Sequence, residues 1–427
     1  MATEFRVGLL LALFGAAASA QSPAHFSVTE IATQPQARSG EPAIELPTPT
    51  GAHRVGRIAF HVVDSTRREV MTPEPDDYRE LVMHVWYPSD DTGGTPASYL
   101  DVSLEDGATR AYYGRLGVLD PLSRVRAHAF VNARMSDAAR RYPVVLFSHG
   151  LGLLSGFYTS YIENLASEGY VVVGVEHPWF SGAFTLPGGR AVTNRSTQAD
   201  RQRDVVTQAE DLSFVVTVLE RLNRAGPAAS RLAGRLDMDR VGVFGHSRGG
   251  FASPHACRLD RRFKACLNLD GYSMTPAVMD SGITQPFMMV EEIAPWDPPP
   301  TDAMLAAASM TRAQADSQAR AAFRRRENTF AHMTGGAYLV VSPGAVHNSF
   351  SDLGVVAPSR YPTATQDFRR TIEIVRAYML AFFDEYLRGR PSPLLTEKST
   401  RFPEAWLTIY RPGHEKRIFA GAPTWKP

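Results

Sequence analysis

Cysteine is nearly absent. The 427 residues contain two, Cys257 and Cys266, and neither has the company of further thiols or histidines that a structural zinc cluster needs. In an oxidising compartment the pair could form one bridge. Read as small buried hydrophobes, one ending a helix and one on the next strand, they need none, and that is the expectation taken forward. Charge of one sign is lacking as well. The 45 basic and 44 acidic residues leave a net charge of +1, which points away from a nucleic-acid partner. A long apolar run is also missing. Val7–Ala18 falls short of the ~20 residues that span a bilayer. Arg6 before it and Ala18-Ser19-Ala20 after it mark residues 1–20 as a signal peptide, with a secreted or periplasmic protein expected. No cysteine at the cleavage site offers a lipid attachment point.

What is present is an ordered alternation. With 44% hydrophobic residues, the chain can bury a large core. Residues 21–54, rich in Pro, Ala, Ser and Thr, read as an extended lead-in, and residues 55–427 as one domain. Arg57–Val63 and Leu81–Tyr87 have strand character and suit an antiparallel edge pair. Residues 89–141 are irregular, with a short helix expected around Arg110–Leu116. Val144–Phe147, Tyr170–Val175, Arg240–Phe244, Phe263–Leu269, Pro286–Val290 and Ala337–Val341 are apolar strands. Helices fall at Phe157–Ser167, Asp200–Asn223 and Gln366–Leu387. On the second, Val205, Ala209, Leu212, Val216 and Leu219 form one stripe. The class is α/β, with a mostly parallel sheet covered on both faces. An insertion at 293–334 suits either a helical cap over the site or a peripheral helix, and the tail 391–427 carries no chemical motif.

The chemistry gathers at Gly245-His246-Ser247-Arg248-Gly249. A strand runs into this turn and a helix leaves it, the setting of a nucleophile elbow. A serine needs a base. His347 follows the last parallel strand and lies downstream of the serine, where ligands and catalytic groups collect in open α/β sheets. His246, His255, His61 and His84 read as packed or solvated. The base needs a carboxylate, and Asp270 ends the strand after the elbow helix. Glu291 and Glu292, at the end of the next strand, are the alternatives. Ser148-His149-Gly150-Leu151-Gly152 is a glycine-rich turn. The N–H groups of Leu151 and Arg248 are the candidate oxyanion donors. No metal or organic cofactor is implied.

Tyr142–Gly152, Val175-Glu176-His177, Gly245–Gly250, Arg262–Asp270 and Gly344–His347 together resemble the plasma-type (isoform II) platelet-activating-factor acetylhydrolase family. The resemblance implies an α/β-hydrolase fold and a calcium-independent serine lipase. Its nucleophile falls on Ser247, its acid on Asp270, its base on His347 and its oxyanion donors on Leu151 and the residue after the serine. It also implies a phospholipid substrate with a short sn-2 acyl ester, and transient contact with a lipid surface. Cutinase- or polyester-hydrolase-like esterases share the pattern, so a non-lipid ester stays open as substrate. A catalytically silent binding protein is the rival of a different class. Two positions depart from the family. Arg248 stands where an aromatic residue is frequent and is expected to place a cation at the site mouth, and Tyr272 stands where Trp is frequent. Arg324-Arg325-Arg326 in the insertion could meet a phosphate or form a solvated face. Nothing in the sequence fixes an oligomeric state.

Overall fold

Strand Tyr142–Ser148 is buried at every position, as a strand covered on both faces must be. The computed structural model that shows this describes residues 26–36, 42–197, 199–226, 230–271, 274–292, 301–412 and 417–419. The expected signal peptide and Tyr272 lie outside the described residues. Six parallel strands form the centre of the sheet, in the order Val171–Glu176, Tyr142–Ser148, Leu236–His246, Phe263–Leu269, Phe287–Glu291 and Ala337–Val341. Antiparallel strands extend both edges. On one side Tyr78–Ser89 pairs with Val171–Glu176 and with Arg54–Arg68. On the other, Trp406–Tyr410 pairs with Ala337–Val341, setting Thr408 opposite Leu339.

Alternation along each strand divides the core into two layers. Val145, Phe147 and Phe244 face helix Phe368–Arg388, where Ile372, Val375, Met379 and Phe382 are buried. Val144, Leu146 and Val243 face helices Arg201–Arg224 and Arg248–Leu259. The stripe expected on the first of these, from Val205 to Leu219, is buried throughout. Gly389 ends helix Phe368–Arg388 with φ 67°, a left-handed cap that costs glycine little. No helix among the described residues is long and apolar enough to cross a membrane.

The structure adds detail at four places. The lead-in is partly structured: Phe26–Ile31 is an edge strand antiparallel to Arg54–Arg68, with Val28 opposite Val62. The phenyl ring of Phe26 meets Phe214 edge-on at 5.4 Å, so an aromatic anchor outweighs weak local periodicity. The tail contributes strand Trp406–Tyr410. In the insertion, helix Arg312–Ala331 connects two neighbouring parallel strands and buries Phe330 beside Phe287. It is a crossover helix whose last turns pack on the sheet, with Arg326 paired to Glu291 at the strand's carboxyl end; residues 293–300 lie outside the described residues. Finally, Cys257 and Cys266 are joined in a disulfide, their Cα atoms 6.5 Å apart. Their placement at a helix end and on the next strand is as expected. The short turn at Asp260–Arg262 folds that helix end back over the strand, bringing the thiols within reach.

Candidate active site

The chain leaves strand Tyr142–Ser148 toward one side of the sheet and strand Leu236–His246 toward the other, although the two are neighbours with Ser148 beside Gly245. Their following loops diverge and open a crevice at the carboxyl ends, the topological switch point of an open α/β sheet. Ser247 stands there with φ 54° and ψ −117°. Such a conformation costs roughly 1–3 kcal/mol and persists only when its surroundings fix it. Here the Ser247 N–H donates to the Leu269 carbonyl at 2.9 Å, and helix Arg248–Leu259 starts at once. Glycine is required on the helix side. A Cβ on Gly249 would lie 2.0 Å from the Ser148 carbonyl oxygen, closer than any side chain tolerates.

His347 opens a short turn after the last parallel strand. Its Nε2 is 2.9 Å from Ser247 Oγ, and its Nδ1 is 2.5 Å from Asp270 Oδ2. A carboxylate only accepts, so Nδ1 carries the hydrogen and Nε2 offers its lone pair to the serine hydroxyl. The Asp270 side chain is fully buried while that of His347 is 32% exposed. The second oxygen of Asp270 accepts the Glu292 N–H at 3.0 Å. Asp270 itself has φ 49° and donates its N–H to the Val290 carbonyl. The alternative acid Glu291 is turned onto Arg326. Burial pushes its carboxyl up to about 7 against the pull of that arginine. Glu292 contributes its main chain to the Asp270 carboxylate.

The Gly150 carbonyl accepts from His149 Nδ1 at 2.8 Å and from the Leu153 N–H at 3.1 Å. The trans peptide then turns the Leu151 N–H to the opposite side. The turn lies against the nucleophile, since a Cβ on Gly150 would come 3.3 Å from Ser247 Cβ. Arg248 is the first residue of its helix, where N–H groups have no intrahelical acceptor. Its side chain corrects the expectation of a cation at the site mouth. The guanidinium is buried, with Nη1 2.7 Å from Asp204 Oδ2 and bonded to the Ser196 hydroxyl. Asp204 is a carboxylate on the buried face of helix Arg201–Arg224 and needs a counter-charge.

A second relay, missed in the sequence, lies under the first. Ser148 Oγ is 3.1 Å from His177 Nε2, and His177 Nδ1 is 2.8 Å from Asp211 Oδ2. Arg79 and Arg67 bind the same carboxylate at 2.7 and 2.9 Å, and hold it far below the usual carboxylate range against the cost of burial. Desolvation, with His177 close by, lowers His149 to about 3. A signal existed: Asp204 and Asp211 interrupt the apolar face of one helix, and buried carboxylates demand partners.

The other histidines stand apart. His61 pairs with Glu80 and His255 with Thr275, while His84 is buried near Asp101. Arg324 and Arg325 are exposed. Among the described residues, His246, Asp270 and His347 bring metal-type donor atoms together. Hydrogen bonds occupy all four of the imidazole nitrogens.

A mostly parallel sheet, a strained serine elbow, and an acid and a histidine on later strand ends define an α/β-hydrolase. The solved structure of a ferulic acid esterase from Streptomyces cinnamoneus superposes with TM-score 0.66 at 29% identity, covering 84% of this chain and 98% of that one. Residues 39–214 and 189–390 match the family described as platelet-activating factor acetylhydrolase, isoform II, and the chain belongs to that family. Its relatives include a platelet-activating factor acetylhydrolase of Cavia porcellus, 28% identical over 239 residues, which are 49% of this chain and about half (54%) of that protein. Another is a probable 1-alkyl-2-acetylglycerophosphocholine esterase of Arthroderma benhamiae, 24% identical over 84% of this chain and 92% of that protein.

Proposed function

We propose that the protein is a serine carboxylic ester hydrolase that removes short sn-2 acyl groups from phospholipids. The unbroken relay from Asp270 through His347 to a serine on a strained elbow carries the ester-hydrolase part of this reading, and membership of the platelet-activating factor acetylhydrolase family supports the phospholipid part. Ser247 Oγ attacks the ester carbonyl as His347 Nε2 takes its proton. The N–H groups of Leu151 and Arg248 hold the oxyanion. His347 returns the proton to the departing alkoxide, leaving an acyl-serine. Water, deprotonated by the same imidazole, then adds to the acyl carbon and releases the carboxylic acid and free Ser247. Asp270 holds the tautomer and stabilises the imidazolium.

A second reading is an esterase of non-lipid esters, favoured by the ferulic acid esterase likeness over most of both chains. We also propose export, supported by the apolar segment Val7–Ala18 and by the Cys257–Cys266 bridge, since such bridges persist in oxidising compartments. Fluorophosphonate labelling tests the enzyme class: Ser247 is expected to take the label in the folded protein, and an unlabelled folded protein favours a silent binding module. Side-by-side rates on short-acyl phosphatidylcholine, p-nitrophenyl, feruloyl and polyester substrates test the substrate class. A preference for the non-phospholipid esters favours the second reading.

A further inference from the structure

His246 precedes the nucleophile, is buried, and packs its ring 4.6 Å from that of His347, centroid to centroid. Both of its nitrogens are engaged. Nε2 lies 3.0 Å from the main-chain carbonyl of His347, and Nδ1 lies 2.8 Å from the Tyr158 hydroxyl. A carbonyl only accepts, so Nε2 carries the hydrogen and Nδ1 accepts the tyrosine O–H. The tyrosine oxygen in turn accepts the Gly150 N–H at 3.2 Å. Every donor therefore meets an acceptor when the imidazole is neutral. A second hydrogen on Nδ1 would face an oxygen already accepting from Gly150 and would strand the hydroxyl's own hydrogen. Burial first, and the charge of His347 second, hold His246 in its neutral form.

We infer that His246 is a positioning residue that ties the base and the oxyanion turn to the nucleophile. The inference rests on the ester-hydrolase reading above. Three loops leaving three different strands meet at this imidazole: Gly150 through Tyr158, the elbow through the backbone of His246 itself, and the base through the carbonyl of His347. That carbonyl belongs to the same residue whose Nε2 faces Ser247 Oγ at 2.9 Å, so a shift of its backbone moves the base directly. Packing alone would be met by any flat side chain. The two-ended bond requires a donor and an acceptor at fixed separation.

Two variants of the full chain divide the bridge. H246N keeps an acceptor near the Nδ1 position for Tyr158 but does not reach the carbonyl. H246Q places a donor near the Nε2 position and gives up Tyr158. A base displaced by even a fraction of an ångström reacts more slowly, so H246N is expected to lower kcat about 10- to 100-fold with KM changed less than about twofold. Fluorophosphonate labelling of Ser247 slows by the same factor, and H246Q, which restores the tie to the base but not the one to the oxyanion turn, recovers part of the rate. Rates are taken per folded molecule, with folded fraction measured by circular dichroism. Equal rates in H246N and H246Q, or losses that vanish on that correction, overturn the inference while leaving the ester-hydrolase reading intact. An inactive, unlabelled wild-type protein overturns both.

Discussion

Two Ser-His-Asp chains of hydrogen bonds run through the described residues, and they differ in whether they reach solvent. In Ser148–His177–Asp211 all three side chains are fully buried and the serine ends a regular strand. The carboxylate is saturated by Arg79 and Arg67. In Ser247–His347–Asp270 the serine sits at positive φ, the imidazole reaches solvent, and among the described residues the carboxylate meets the imidazole and a main-chain N–H. Connectivity is the same in both. What differs is access for an ester, a hydroxyl lifted off the sheet, and an acid free to stabilise a passing imidazolium. The buried relay instead fixes the strand end on which the elbow rests.

The sharpest way to separate the two is to remove each serine. S247A is expected to lower kcat by about 10⁵- to 10⁶-fold without a change in melting temperature. S148A should leave turnover within a fewfold and cost about 1 kcal/mol in denaturant unfolding. The acids divide in the same way. D270N should lose about 10⁴ in kcat, as a base loses its tautomer and counter-charge, whereas E291Q should not, and the reverse pattern would reassign the acid. D211N should act on stability, costing about 3–5 kcal/mol by leaving buried Arg79 and half-buried Arg67 without their shared partner. A D211N protein of wild-type stability would break the comparison. Opening the Cys257–Cys266 bridge, as C257A/C266A, should cost about 2.5 kcal/mol for a loop this short, and the denatured wild type should show no free thiol.

A further effect is on the pH dependence of folding. His149, lowered to about 3, binds no proton in the fold between that value and its unfolded value near 6.5. The unfolded chain binds more protons there, so this term removes stability as pH falls below about 6.5. Glu291 acts oppositely. Raised to about 7, it keeps its proton in the fold where the unfolded carboxyl has lost it, and so favours folding as pH falls from 7 toward about 4.3. E291Q should therefore steepen the acid loss of stability between pH 7 and 5, by at most about 1.4 kcal/mol per pH unit. Unchanged slopes would show that Glu291 is ionised in the fold.

The alternation of apolar strands and helices, the elbow and the chain order of serine, acid and histidine were all legible in the sequence. Each is written in neighbouring residues: a stripe of period 3.6, a short run of valines, two glycines around a serine. Asp270 was preferred to Glu291 from its strand end, and the geometry joins it to His347. Arg248 was misplaced because its direction is set by Asp204, more than forty residues away on another helix. Phe26–Ile31 escaped notice because an edge strand with one anchoring ring leaves little pattern. The role of His177 was invisible because its partners come from the end of another strand and from a distant helix.

By itself, then, the sequence determined which groups could do chemistry and roughly where each leaves the sheet, because backbone propensity and periodicity are local. Only the tertiary structure decided which histidine faces a hydroxyl, which arginine turns inward and which cysteines meet. Those outcomes depend on burying each charge and each donor beside its counterpart, and the counterparts lie tens to hundreds of residues apart.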